Sequence, residues 1–446
     1  MSFPVVPGQS LGEFSFGMNL RQALDILSIS ESSAPTVDII YSEETPFEVP
    51  VVFRLFQQGV RLEFHPVTQL LVRIVVYDSS KIRLTYNNQQ FSGPPTVATL
   101  ASIYQLFGPT FPGTFHTDTG QYELVYPGAH FFFPIPEAHQ HLYMGDNADL
   151  PLQLPDGSTP VPSSIVFLPE HSEPFTTSYR SLVMLGRGVS LLSHPTQPIL
   201  LGDSVQYVLT VLGAPQHIHP KSTDLMRIHA RPPTGPVPAR PLMPRGAAAI
   251  DGPLMPRGAA GDASDGDDGG DANPSGDEDE GLRAPPHRPP PQPQPQPWGV
   301  QQSRVLLASS SAALSTCGAS GPAGGAPGGV SSPDYFYNYT DMGVDLLFDG
   351  MDHVVKKMVL HANLPGHVDF ALYNRFSFVI REPGKAPLTE ASKITQISAV
   401  LGPLPTPIVH SKPVVASPFS TTRFYGFGQA IFEVMRNGHI CSVTLF

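Results

Sequence analysis

The residues that could carry chemistry are few, and Ser204 is the strongest candidate nucleophile among them. It ends the stretch Leu201-Gly202-Asp203-Ser204, which matches the block that opens one family of serine esterases. The same position of an internal repeat, described below, is Asn19, which is no nucleophile. Because serine and asparagine both cap helix N-termini, we interpret Ser204 as a helix cap.

Other motifs with chemical potential are incomplete. His139 and His141 form one His-x-His pair, and His217 and His219 form another, but neither has further ligands at metal-site spacing. The stretch Gly186-Arg187-Gly188 lacks the third glycine and the acidic residue of a dinucleotide-binding fold. We therefore expect a non-enzymatic protein with no metal site and no cofactor.

Proline and glycine divide the chain into two kinds of sequence. The 446 residues include 51 Pro and 40 Gly, and residues 231–332 alone hold 19 Pro and 17 Gly, with Trp298 as their only aromatic residue. Such a segment cannot bury enough apolar surface to offset the entropy of ordering it, so we predict a disordered insertion. Residues 1–230 and 333–446 are rich in Phe, Val, Leu and Tyr and suffice for a large core.

Charge and hydropathy narrow the class of protein further. With 38 acidic and 26 basic residues the formal net charge is −12, which gives no general attraction to nucleic acid or to an anionic membrane. Two cysteines cannot form a disulfide framework. The sequence has no run of eighteen apolar residues and no signal peptide, so we expect a cytoplasmic protein that does not bind nucleic acid.

The elements that would position any site come from an internal repeat. Residues 17–27 and 202–212 each read as a glycine, a pair that ends in a polar residue and an apolar stripe, which predicts a short amphipathic helix. Asn19 and Ser204 stand where each helix would be capped, and Gly213 would end the second helix. The two segments are therefore interpreted as copies of one element.

A second pair of segments follows each helix. Residues 53–77 and 337–361 align over their whole length without a gap, and each alternates apolar and polar residues around a turn at Gly59 or Gly343. This pattern predicts an antiparallel meander with one buried face. Weaker copies of the helix, at residues 97–108 and 394–402, each precede a further meander.

The sequence thus predicts an α+β fold of four helix-plus-antiparallel-meander units in two related halves, with one long disordered insertion. The predicted boundaries are 1–144 for the first half, 145–199 for a Pro-rich connector with some strand, 200–230 plus 333–446 for the second half, and 231–332 for the insertion. The insertion joins two strands whose counterparts pair in the first half.

Two segments are candidates for binding a partner. Tyr335, Tyr337 and Tyr339 could line a groove, although their period of two favours one face of a sheet. The loop formed by Asn363, Leu364, Pro365, Gly366 and His367 has no evident sheet-packing role, and we predict that it belongs to a contact surface. Within the insertion, residues 289–297 favour polyproline II, which is either a stiff spacer or a ligand for an aromatic groove.

Several stretches closely resemble the phagosome assembly factor 1 family, formerly an uncharacterised lin-10-like group. The resemblance is carried by residues 334–339 with 343–349, by residues 355–367, by residues 11–18, by Gly202-Asp203-Ser204 and by residues 431–445. The resemblance covers residues 1–230 and 333–446, the two blocks on either side of the insertion, and omits the insertion.

The resemblance implies a non-enzymatic protein of autophagy. Members of the family resemble partners of a WD40-propeller protein, breast carcinoma amplified sequence 3, with which they gather at the phagophore assembly site. Membrane association would then be peripheral and indirect, through the propeller. The alternative implied by the lin-10-like name is a factor in vesicle transport from the trans-Golgi network to the plasma membrane. Hydrolysis by Ser204, and binding of a lipid or small molecule between the units, are the remaining hypotheses.

Overall fold

The computed structural model describes residues 2–30, 36–144, 149–170, 180–221, 300–306, 333–411 and 421–446. Within them the chain folds as mostly antiparallel sheets with few helices, so the predicted α+β class is confirmed. The residues with helical sequence patterns form α1 (Leu20–Ser30), α2 (Leu100–Phe107), α3 (Val205–Leu212) and α4 (Ile394–Leu401). A 3-10 helix spans Glu137–Tyr143.

Three of the α-helices begin at a side-chain cap, and three end at a glycine. The side chains of Asn19, Thr99 and Ser204 each accept a hydrogen bond from a backbone N–H in the first turn of the helix that follows. Gly108, Gly213 and Gly402 end α2, α3 and α4, and their backbone N–H groups bond to a carbonyl in the last turn. The caps predicted at Asn19 and Ser204 are confirmed.

The strands of the first half precede residue 170. They are β1 (Ser2–Val6), β2 (Ser10–Leu11), β3 (Phe14–Ser15), β4 (Thr36–Ser42), β5 (Val51–Leu55), β6 (Val60–Phe64), β7 (Leu71–Val76), β8 (Arg83–Tyr86), β9 (Gln89–Ser92), β10 (Thr114–His116), β11 (Gln121–Tyr126), β12 (Ala129–Pro134) and β13 (Ser164–Phe167).

The remaining strands begin after residue 180. They are β14 (Ser181–Met184), β15 (Gly188–Ser190), β16 (Ile199–Leu200), β17 (His217–Pro220), β18 (Val300–Leu306), β19 (Tyr335–Tyr339), β20 (Val344–Phe348), β21 (Val355–His361), β22 (Phe378–Ile380), β23 (Leu388–Thr389), β24 (Ile408–Ser411), β25 (Thr421–Phe427), β26 (Ala430–Val434) and β27 (Ile440–Leu445).

Each half contains one large and one small sheet in matching order. The large sheets run β10-β11-β12-β13-β7-β6-β5-β4-β18 and β17-β19-β20-β21-β27-β26-β25-β24. The small sheets run β3-β2-β1-β8-β9 and β16-β15-β14-β22-β23, and each contains one parallel pair. The two meanders predicted for each half therefore merge into a single sheet instead of forming separate units.

Two segments of the chain differ from the predicted boundaries. Residues 145–199, predicted as a connector, supply β13 to the first large sheet and β14, β15 and β16 to the second small sheet. Their alternation of apolar and polar residues is short. The sequence therefore predicted some strand here, but not which sheet each strand joins. Within the predicted insertion, Val300–Leu306 pairs antiparallel with β4, where disorder was predicted. The rest of the insertion lies outside the described residues.

Each half has its own apolar core beneath its large sheet. In the first, alternate residues of β5 and β6 (Val51, Phe53, Leu55, Val60, Leu62 and Phe64) face inward against α1 and α2. In the second, Val344, Leu346 and Phe348 of β20 do the same with α3 and α4. The turns at Gly59 and Gly343 have φ of +66° and +71°, which glycine adopts without strain.

Candidate functional site

The loop predicted to bind a partner lies at the junction between the halves, which we call the seam. The seam is formed by residues 19–21, 41–47 and 65–70 of the first half and by residues 362–375 and 433–441 of the second. The exposed fractions of Asn363, Leu364 and His367 are 6%, 1% and 9%, and Pro365 is buried as well. The structure therefore places the loop inside the protein, and Gly366 is its half-buried member.

Asn363 joins the halves through a reciprocal pair of hydrogen bonds with Gln69. Its Nδ2 donates to Gln69 Oε1 at 2.7 Å, and Gln69 Nε2 donates to the Asn363 carbonyl at 2.8 Å. The backbone N–H of Ala371 donates to Asn363 Oδ1 at 2.7 Å. Both Asn363 and Gln69 have positive φ, +47° and +57°, so the backbone is bent sharply to make this contact.

Arg375 is the second link across the seam. Its Nε donates to the Ala362 carbonyl at 2.8 Å, and its Nη1 donates to the carbonyls of Pro66 and Val67 at 2.7 and 2.9 Å. The guanidinium also lies 4.5 Å from the ring centre of Phe47. Burial of the guanidinium lowers the pKa of Arg375 to about 9, against the opposing charge of Glu390.

An apolar contact accompanies these polar ones. Leu364 packs with Ala362, Met435 and Cys441, and the ring of Phe47 from the first half covers them. Burial of these apolar side chains stabilises the junction in its own right. It also excludes water from the neighbouring hydrogen bonds, which are stronger in a low-dielectric environment. The seam is therefore both polar and closely packed.

His367 sits over a buried carboxylate, that of Glu433. The distance from His367 Nε2 to Glu433 Oε1 is 3.4 Å, while the hydroxyls of Thr422 and Ser442 donate to the same carboxylate at 2.8 and 2.7 Å. Burial alone would raise the pKa of Glu433, but His367 and the two hydroxyls outweigh it and lower the pKa to about 2.

A second buried carboxylate, Asp345, lies beneath the same segment. It accepts hydrogen bonds from Asn338 Nδ2 at 2.6 Å and from the Tyr373 hydroxyl at 2.9 Å, and His361 Nε2 lies 2.9 Å away. The rings of His361 and Tyr373 stack at 3.8 Å. Burial, and then the charge of Asp345, raise the pKa of Tyr373, which therefore remains a hydrogen-bond donor.

A cavity of about 170 Å³ opens beside these residues. Its lining includes Asn19, Thr68, Gln69, Asn363 and Arg375. The amides and the guanidinium that line it are already bonded to one another or to backbone carbonyls. The arrangement joins the two halves, and its polar groups are used for that purpose.

The other residues with chemical potential occupy structural positions. Ser204 caps α3, with the Tyr207 N–H bonded to its hydroxyl at 3.3 Å. Tyr335, Tyr337 and Tyr339 pack against the second core, as the sheet interpretation predicted. Among the described residues, no group of three His, Cys, Asp or Glu side chains is arranged to hold a metal ion. None of the helices described is long and apolar enough to cross a membrane.

Comparisons with known proteins identify the family. The family model for phagosome assembly factor 1 matches residues 10–181, 178–241 and 326–446. The chain belongs to the phagosome assembly factor 1 family. The resemblance noted in the sequence is thereby confirmed.

Relatives align with this family member over its whole length and over nearly all of their own. A PHAF1 protein of Arabidopsis thaliana is 29% identical over 470 residues, which cover 100% of this chain and 92% of the relative. PHAF1 proteins of Drosophila melanogaster and Caenorhabditis elegans are each 26% identical, and the alignments cover 100% of this chain and 94% of each relative. No solved structure matches the chain.

The sequence pointed to half of the seam of this phagosome assembly factor 1 family member. It singled out residues 363–367, but it missed Gln69, Arg375 and Glu433, to which that loop connects. Arg375 carries a weak signal, since it is a single cation between Asn374 and the buried Phe376. Gln69 has no comparable signal, because a glutamine in a turn is ordinarily exposed.

Proposed function

We propose that this chain is a non-enzymatic scaffold of autophagy that assembles with a WD40-propeller protein at the phagophore assembly site. The observation that carries the proposal is its membership of the phagosome assembly factor 1 family across both halves. The seam supports it, because a junction of buried hydrogen bonds and packed side chains holds surfaces on both halves in a fixed relation, as a scaffold requires.

We further propose that the propeller partner, resembling breast carcinoma amplified sequence 3, brings the protein to the membrane. A chain with a formal net charge of −12 is repelled by an anionic bilayer surface. Its longest basic run in the two blocks is Lys356-Lys357, and Lys356 already contacts Asp334 and Asp349. An indirect, peripheral association from the cytoplasm fits these charges.

Purification of the tagged chain from its own cells tests the proposal. One sample carries the full chain and the other lacks residues 231–295, which leaves the strand Val300–Leu306 in place. The expected result is a WD40-propeller protein that elutes with both forms in comparable amount. Elution of neither form with a propeller would overturn the proposal.

Fluorescence microscopy of the same tagged chain separates the proposal from vesicle transport at the trans-Golgi network. Under starvation, the proposal expects puncta that coincide with a phagophore marker. Puncta that coincide with a trans-Golgi marker instead would favour the vesicle-transport alternative.

We also infer that each half is built from two helix-and-meander units that have merged through a common sheet. The matching strand orders support this inference, as do the glycines that end α2, α3 and α4. Separate expression of residues 1–170 tests it: a half that retains the sheet content of its part of the chain supports the inference, and a half without stable structure opposes it.

A further inference from the structure

Three arginines lie on the outer face of the first large sheet, the face turned away from the apolar core. Val51, Phe53 and Leu55 of β5 are buried in the core, so Arg54 lies on the opposite face. By the same alternation β6 places Arg61 on this face, and β7 places Arg73 there, paired across the strands with Glu63. We call Arg54, Arg61 and Arg73 the arginine face.

The arginines are arranged at a cost to the sheet. Arg54 and Arg61 are direct cross-strand partners, and like charges in that relation destabilise a sheet. Two carboxylates lie among them: Glu63, 2.8 Å from Arg61 Nε and 3.8 Å from Arg73 Nη1, and Asp38, which is the cross-strand partner of Arg54 and is 4% exposed. Glu63 is 15% exposed, whereas Arg61 and Arg73 are 37% and 42% exposed. The surface presented to solvent is therefore cationic.

The hydrogen bonds of these guanidinium groups are incomplete. Although Arg61 Nε lies close to Glu63, the contact does not have the angle of a hydrogen bond. Arg73 Nε is likewise buried without an acceptor among the described residues. A buried N–H without an acceptor destabilises a protein by about 1–3 kcal/mol, so these two Nε groups are a further cost of placing the arginines here.

In the second half, the matching face of the large sheet is covered by another segment of the chain. The cross-strand pair that matches Arg54 and Arg61 is Asn338 and Asp345, 4% and 7% exposed under the chain's own segment 362–377. The corresponding connection in the first half, residues 77–82, is too short to cover its face. The first half thus leaves open a face that its counterpart covers.

We propose that the arginine face binds an extended, acidic segment of a partner protein, with its carboxylates on the guanidinium groups. The proposal rests on the scaffold function above and identifies one of its contact surfaces. Carboxylates two residues apart in an extended segment are separated by about 6.6–6.8 Å, and the long arginine side chain can span the difference from the spacing of neighbouring strands, about 4.8 Å. Bidentate pairing with arginine adds directional specificity.

A bilayer is a poorer fit than a peptide to this face. The three arginines form a small cationic area on a chain of formal net charge −12. An extended anionic surface is repelled by acidic residues over the whole chain. A short peptide interacts mainly with charges within about 8 Å of it, because salt screens more distant charges at physiological ionic strength. The local charge therefore favours the peptide.

Fluorescence anisotropy with a labelled peptide of alternating glutamate and serine tests the inference on the full chain. We expect binding that weakens at least about ten-fold in Arg54→Gln/Arg61→Gln and at least about five-fold when salt rises from about 50 to 300 mM. The control is Arg83→Gln/Arg423→Gln, which removes the same charge from exposed strand positions elsewhere and should leave binding unchanged.

Three results would overturn the inference. They are equal binding by the two double variants, equal binding of a glutamine-for-glutamate peptide, and binding of phosphatidylserine vesicles in place of the peptide. Either of the first two results would show that the arginine face does not recognise carboxylates. The third would show that it binds a membrane surface instead of a peptide. A propeller that still co-purifies with the Arg54→Gln/Arg61→Gln variant would leave the scaffold proposal standing, so the two failures are distinguishable.

Discussion

The large sheets of the two halves use matching strands to make opposite kinds of surface. In the first half the outer pair Arg54 and Arg61 faces solvent, and in the second half the matching pair Asn338 and Asp345 is buried. The difference follows the connection after the third of these strands, which spans residues 77–82 in one half and 362–377 in the other. The longer connection covers the polar sheet face of the second half, and its residues 362–375 also belong to the seam.

This comparison shows why similar positions carry different charges. A carboxylate covered by a loop needs donors on all sides, and Asp345 has Asn338, His361 and Tyr373. An arginine on an open face keeps part of its guanidinium in water, which supplies acceptors that the protein does not have to provide. A carboxylate with several donors therefore indicates a covered sheet face, and a pair of arginines indicates an open one.

Reciprocal substitutions give the largest expected effect. Asp345→Arg removes the acceptor of buried donors and inserts a long cation, so we expect a loss of about 4 kcal/mol in the free energy of unfolding. Arg61→Asp, on the open face, should cost about 1 kcal/mol or less. Urea denaturation measures both, and similar losses in the two variants would break the comparison.

Removal of the buried cation should have the next largest effect. Arg375→Met fills similar space but leaves the carbonyls of Ala362, Pro66 and Val67 without their donor, at a cost of about 3 kcal/mol. Arg423→Met is the matched control, because Arg423 is exposed on β25 and its replacement should change stability by no more than about 0.5 kcal/mol. Equal stability of the two variants would contradict the role given to Arg375.

The carboxylate under His367 should make part of the stability depend on pH. Because the pKa of Glu433 is lowered to about 2, its stabilisation is present above the ordinary value of 4.5 and is lost as pH falls toward 2. Glu433→Gln should cost about 2–3 kcal/mol at pH 7. The difference in unfolding free energy between the variant and the parent chain should shrink as pH falls from about 4.5 to 2. A difference that stays constant over this range would rule out a lowered pKa.

Local sequence signals predicted the elements that carry the seam. Asn19 and Ser204 were recognised as helix caps, and Gly59 and Gly343 as turns, because these residues act on their own neighbours. The same signals placed β6, β7, β20 and β21 at their observed positions. Backbone preferences of this kind are visible in a short stretch of sequence.

Local sequence signals could not predict contacts between residues far apart in the chain. The loop at residues 363–367 was noticed as unusual, yet its partner Gln69 lies 294 residues away. Some strand was expected in the connector at residues 145–199, but nothing local indicated that its strand β13 enters the first sheet between β12 and β7. Pairing of this kind depends on the register of the whole sheet, which single segments do not contain.

The smallest predicted effect tests the central claim, that the two halves form one unit through the seam. A double-mutant cycle of Gln69→Ala and Asn363→Ala isolates the hydrogen bond from Asn363 Nδ2 to Gln69 Oε1, which needs both side chains. We predict a coupling of about 1 kcal/mol in the free energy of unfolding from this one buried hydrogen bond. The other bond, from Gln69 Nε2 to the Asn363 backbone carbonyl, is lost only in Gln69→Ala. Additive losses, within about 0.3 kcal/mol, would show that the halves do not meet there and would contradict the account.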